Sequence, residues 1–250
     1  MKVVAITQAR MTSTRLPGKV LLEAAGKPLL AHHVERTRRA RMIDEVVVAT
    51  TTNASDEPIV AWGAAHGVPV FRGSEHDVLS RYAGAAVLHN ADVVVRVTSD
   101  CPLIDPDVID ETVSAFLKDA DRLDYASNRI LQTFPRGLDT EVLHTSTLNT
   151  ADIEATAPSD REHVTLFIWR QPERFRLLNV PNNTDESRHR WTVDTPADLD
   201  LVRRIINELY SQRPDFTWRD CLACFDQHPD WFTINAHVEQ KDPLIDGNAF

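Results

Sequence analysis

Cysteine is scarce in this chain: Cys101, Cys221 and Cys224 are the only three in 250 residues. So sparse and odd a set excludes a disulfide framework. The Cys221/Cys224 pair, spaced CxxC, lacks the second CxxC or the nearby histidine pair that a zinc site requires, so reduced thiols are expected. Basic charge is also in deficit, because 27 Lys and Arg against 37 Asp and Glu leave a net charge of −10. A nucleic-acid binder usually shows the opposite balance, so no nucleic-acid partner is expected, and any phosphate site must be a local cluster of cations on an acidic body. No apolar run approaches the roughly 20 residues a membrane helix needs, and the opening MKVVAITQAR turns polar too early for a signal peptide. A cytoplasmic protein without a membrane partner is expected. Internal repeats and low-complexity linkers are absent as well.

What is present is enough apolar residues, 42%, to bury one large core with at most a small appendage. Short β-rich runs recur at Val3 to Thr7, Glu45 to Thr50, Pro69 to Phe71 and Val93 to Val97. Helical patterns separate them: Lys27 to Arg41, Asp56 to His66 opened by an Asp56 cap, and Asp77 to His89; Pro106 to Leu117, capped by Asp105, follows the last. The basic tail of the first helix, Arg36, Arg38, Arg39 and Arg41, reads as solvated charge near a helix C-terminus. Such alternation predicts βαβ units and an α/β fold with a mainly parallel sheet.

From Asp124 the pattern shortens to strands Tyr125 to Asn128 and Leu138 to Leu143, then helices Ser146 to Glu154 and Arg161 to Arg170. RHRWTVDT is expected to return a strand to the sheet before the helix Pro196 to Tyr210. The organisation is therefore a domain over residues 1–213, with residues 124–190 on the substrate side, and an aromatic arm over residues 214–250. In that arm Phe216, Trp218, Phe225, Trp231 and Phe232 either pack on the body or mark a dimer contact.

The run AITQARMTSTRLPGKVL carries the strongest chemical signal. A strand leads straight into a loop holding Arg10, Arg15 and Lys19, with Thr12, Ser13 and Thr14 between them. Loops at the carboxyl ends of parallel strands form the ligand crevice, and arginine forks with a mobile lysine charge suit phosphate oxygens. It is not a Walker loop, because Lys19 follows a single Gly18. In RVTSDCPLIDP, Asp100 ends an apolar strand facing the same crevice; in RWTVDTPADLDLV, Asp194 sits just before a helix. Magnesium takes one or two carboxylates plus substrate phosphates, which suits this pair. Asp194 can equally cap its helix, and spacing does not separate the two uses.

These runs, with GKPLLAHHVER, IDEVVVATT, FRGSEHDVLSRY, DYASN, FPRGLDTEVL and REHVTLFIW, occur in order from about Val3 to Leu209. Together they resemble the cytidylyltransferases, most closely the spore-coat polysaccharide group related to the synthetases that activate ketodeoxyoctonate and sialic-acid-like sugars. The resemblance implies a Rossmann-like three-layer nucleotide-diphospho-sugar transferase fold with a small substrate-side insertion. It implies CTP and an acidic sugar as substrates, Mg2+ as cofactor, a homodimer, and a role in surface polysaccharide biosynthesis. Arg10, Ser13, Arg15 and Lys19 would hold the nucleotide, with Ala9, Thr98 and Ser99 near the cytidine; Asp100 and Asp194 would hold the metal. On the acceptor side it points to Arg136, Asp139, Glu141, Arg161, Glu162 and His163.

Two other readings share these residues. A glycosyltransferase using a nucleotide sugar would also hold metal on strand-end aspartates, usually as a DxD pair, where this chain has Asp100-Cys101-Pro102. A non-catalytic nucleotide-binding homologue would tolerate losing one of Arg10, Arg15, Lys19, Asp100 and Asp194, and all five are present.

Overall fold

The computed structural model describes residues 1–239. Strand β1 (Val3–Gln8) enters a long loop that ends in a 3-10 turn at Lys19–Leu21, and a two-residue ribbon, β2 (Glu23–Ala24) with β3 (Lys27–Pro28), delivers the chain to α1 (Leu29–Arg38). Next come β4 (Glu45–Thr51), α2 (Glu57–Ala65), β5 (Val70–Gly73), α3 (Val78–Leu88), β6 (Val93–Thr98) and α4 (Pro106–Lys118). The remainder comprises β7 (Tyr125–Ser127), β8 (Glu141–His144), α5 (Thr145–Glu154), α6 (Pro158–Glu162), α7 (Leu166–Trp169), β9 (Leu177–Asn179), α8 (Pro196–Tyr210) and α9 (Trp218–Gln227).

The main sheet runs β5-β4-β1-β6-β8-β7-β9. Its first four strands are parallel, whereas β8 is antiparallel to both neighbours. Strands β1, β4 and β6 are mostly apolar because both of their faces are covered, with Arg96 of β6 the buried charged exception. Val3, Ala5, Val46, Val48, Val93 and Val95 pack with Leu30, Val34, Ile59, Ile109 and Phe116 of α1, α2 and α4. Val4, Ile6, Val47, Ala49 and Val94 face Leu79, Tyr82, Leu148, Ala151 and Ile168 of α3, α5 and α7. This is the expected three-layer α/β architecture. All strand ends that matter for function open at the carboxyl edge of β1 and β6. Among the described residues no helix is long and apolar enough to cross a membrane.

Several local expectations are corrected. The first helix begins at Leu29 because Pro28 pairs with Glu23 in the ribbon. Its basic tail is not all solvated: Arg36 is buried, donating to the carbonyls of Ile104 (2.6 Å) and Phe216 (3.0 Å) and lying over the Phe216 ring. Asp56 does not cap α2, since its carboxylate accepts from Thr50, Thr51 and the Met11 amide. The helix expected over Arg161 to Arg170 is two short helices, broken where Val164 adopts φ 54°, a left-handed setting that β-branched residues avoid. RHRWTVDT adds no strand. It makes one isolated bridge, Arg136 to Arg190, and the strand added instead is β9, beside β7.

The arm packs on its own body. Phe216, Trp218, Cys221, Cys224 and Trp231 join Trp191, Val193, Leu201, Val202 and Ile205 in a third core. Thr217 and Asp220 form a capping box at the start of α9. All three cysteines are free and buried, and burial raises the thiol of Cys224 to about 11 and that of Cys221 further. Residues 240–250 of the expected arm lie outside the described residues.

Candidate active site

The loop after β1 is closed by its own backbone. Gly18 takes φ 68°, and its amide donates to the Met11 carbonyl at 2.9 Å, so the chain turns back on itself just before Lys19. A second restraint comes from Asp56, which accepts the Met11 amide at 2.8 Å. A third comes from Glu75, which lies 3.9 Å from Arg10 and accepts from Thr12 and Asn53. Sequence reasoning passed over both acids as site residues. The only available signal was their position directly after β4 and β5, at the same sheet edge.

Asp100 follows β6 in a turn closed by the Cys101 amide on the Thr98 carbonyl. The Asp100 carbonyl in turn accepts the Val193 amide at 2.8 Å, which docks the RWTVDT segment against this turn. Two carboxylates far apart in sequence thereby converge: the Lys19 ammonium is 2.9 Å from Asp100 Oδ2, 2.9 Å from Asp194 Oδ1 and 2.8 Å from the Val193 carbonyl. Arg15 Nη2 lies 3.1 Å from Asp194 Oδ1, and Arg190 Nη2 lies 2.7 Å from Asp194 Oδ2. Thr195, with Asp198, forms the capping box of α8. Helix capping is thus performed by Thr195, and the Asp194 carboxylate is instead held by Lys19, Arg15 and Arg190.

Burial opposes charge on both Lys19 and Asp100, and their mutual attraction outweighs it: Lys19 is held above its ordinary value and Asp100 down at about 2. Both are therefore ionised at neutral pH. Ala9 is buried, with its amide spent on the Ala49 carbonyl, and the Ser99 hydroxyl donates to the Gln8 carbonyl at 2.6 Å. Thr98 and Ser13 are half-buried along the same edge.

The six acceptor-side residues do not form one cluster. Glu141 is 1% exposed, and both its oxygens are engaged, by Arg96, Arg129, Tyr125 and Thr165. Burial would raise this carboxyl, but Arg96 and Arg129 hold it at about 2. Arg161 clamps Asp77 at 2.6 Å and Asp152 at 2.6 Å, tying α6 to the start of α3 and to α5. Both are engaged by the protein's own side chains. Arg136 instead lines a cavity of about 230 Å³ against the arm, with Arg188, His189, Phe225 and Phe232. Asp139, Arg129 and His163 are half-buried and lie within electrostatic reach of one another: Glu141 and then Asp139 support the charge of Arg129, which in turn acts on His163. Burial chiefly, and then the nearby arginines, lower the His163 imidazole below its usual value. Arg129 was missed in the sequence, although it directly follows the DYASN run.

Residues 4–218 match a family model described as cytidylyltransferase. The chain is 32% identical to the spore coat polysaccharide biosynthesis protein SpsF of Bacillus subtilis, over 90% of this chain and 94% of that protein. It is 35% identical to the uncharacterized protein MJ1063 of Methanocaldococcus jannaschii, over 96% of this chain and 97% of that one. Among solved structures, a cytidylyltransferase from Leptospira borgpetersenii superposes with a TM-score of 0.89 at 33% identity, covering 97% of this chain and 99% of that one.

Proposed function

The chain belongs to the cytidylyltransferase family, and on that premise we propose that it transfers CMP from CTP to a small acidic sugar, of the nonulosonic or octulosonic acid type, in surface polysaccharide biosynthesis. The observation that carries this reading is the meeting of Lys19 and Arg15 with Asp100 and Asp194 at the carboxyl edge of the sheet.

In the proposed reaction an acceptor oxygen attacks the α-phosphorus of CTP in line; the new oxygen–phosphorus bond forms as the bond to pyrophosphate breaks. Arg10, Arg15 and Lys19 hold the phosphate chain, and their charges stabilise the departing pyrophosphate. No side-chain nucleophile is required, because phosphoryl chemistry of this kind rests on position and electrostatics. Asp100 and Asp194 fit a hard divalent ion, being two carboxylates whose oxygens reach one common point, the Lys19 ammonium. Magnesium held there would neutralise charge on the phosphate oxygens. His163, kept neutral by burial, is able to take the acceptor's proton, and Arg129 offers a charge for the acceptor carboxylate.

Pyrophosphate release, assayed with each of the four nucleoside triphosphates against a panel of acidic sugars, tests this reading. Release with CTP and one or more acids is expected. Equal release with all four triphosphates, or release only with neutral sugars, overturns it.

A further inference from the structure

Lys19 stands where a divalent cation would have to stand. Its ammonium has three oxygen neighbours, from Asp100, Asp194 and the Val193 carbonyl, all within 2.9 Å, so each of its three N–H donors has an acceptor. The side chain is only 12% exposed, and the Gly18 turn delivers it to this position. We propose that Lys19 is a built-in counter-ion that keeps the carboxylate pair closed to divalent cations until a triphosphate arrives and draws it away. The proposal rests on Asp100 and Asp194 being the metal ligands.

The physical reason is charge balance. Two carboxylates and one ammonium leave a net charge of −1, and two guanidinium groups add positive charge beside them: Arg15 at 3.1 Å from Asp194, and Arg190 at 2.7 Å from it and shared with Asp198. A divalent ion entering next to Lys19 would meet like charges at contact distance in a partly buried site, where repulsion is poorly screened. Lys19 must therefore leave. Leaving with no new acceptor would strand a buried ammonium, whereas a triphosphate supplies oxygens in exchange for the carboxylates. Ion and nucleotide then bind with positive coupling, each removing an obstacle to the other.

The test is Mn2+ binding to the full chain without nucleotide, followed by electron paramagnetic resonance. Lys19→Met and Lys19→Gln are expected to bind one ion at least about tenfold more tightly than wild type, and Lys19→Arg, which keeps the charge, to stay close to wild type. Adding Asp100→Asn to Lys19→Met should abolish the gain. Equal affinities for wild type and both neutral variants overturn the proposal, as does a gain that survives Asp100→Asn. Wild-type protein gives a readout that needs no variant: one Mn2+ bound as tightly without CTP as with it also overturns the idea. Pyrophosphate release by wild type is read separately. Turnover of CTP without the Lys19→Met gain refutes the counter-ion and leaves the enzyme reading intact; the gain without turnover of any triphosphate does the reverse.

Discussion

Asp100, Asp194 and Glu141 are all acids near a crevice, yet their surroundings give them different work. Asp100 and Asp194 keep partly exposed side chains, at 24% and 16%, and share the Lys19 ammonium. Glu141 is sealed under two arginines, a tyrosine and a threonine. Asp100→Asn retains shape and removes charge, so turnover is expected to fall by about 100-fold or more, measured as pyrophosphate release at saturating magnesium with the fold checked by circular dichroism. Glu141→Gln strands the buried Arg96 and is expected to cost about 3–5 kcal/mol of stability at neutral pH, read from urea denaturation. Its acid behaviour follows from the sign of the shift. The folded carboxyl sits at about 2, below the ordinary 4.5, so its stabilisation is full above the ordinary value and is lost as pH falls from there towards 2. Between pH 5 and pH 3 the variant should therefore lose less stability than wild type.

At the scale of elements, two turns do most to aim these side chains. The loop from Ala9 to Lys19 is pinned at Met11 by Asp56 and by the Gly18 amide, so its cations are delivered by backbone geometry rather than by a helix. The FPRGLD turn is pinned by Gly137, whose φ of 106° suits glycine, and an added Cβ would lie 2.9 Å from the Trp191 carbonyl carbon. That contact is backbone and has nowhere to go. Gly137→Ala is accordingly expected to destabilise by more than about 1 kcal/mol and to displace the Trp191–Asp194 segment, seen as a lower melting temperature and altered tryptophan fluorescence. The break at Val164 belongs to this scale too: it lets the Thr165 hydroxyl reach Glu141, which a continuous helix would not guarantee.

Over the whole molecule, the arm is fastened rather than appended. Arg36 of α1 reaches the Phe216 carbonyl, and Asp105, the cap of α4, accepts the Trp218 amide at 2.8 Å. Buried aromatic residues of the arm thus serve the protomer, while Phe232 stays 40% exposed. The sequence resemblance implies a homodimer, and light scattering on purified protein should then give twice the 28.2 kDa mass of the chain; a single chain mass at micromolar concentration would overturn that expectation.

Much of this architecture is legible in the amino-acid sequence by itself. The strands are readable because a strand buried on both faces must be mostly apolar, and the loop after β1 announces itself by placing Arg10, Arg15 and Lys19 just beyond one. The helix cap at Asp105 is local and therefore visible. What the tertiary structure alone decided were the partnerships: that Arg36 and Glu141 are buried, that Asp56 and Glu75 brace the loop, and that Lys19 lies between Asp100 and Asp194. Local preference acts over a few residues, whereas these outcomes depend on burial and on charges brought together from positions up to 175 residues apart.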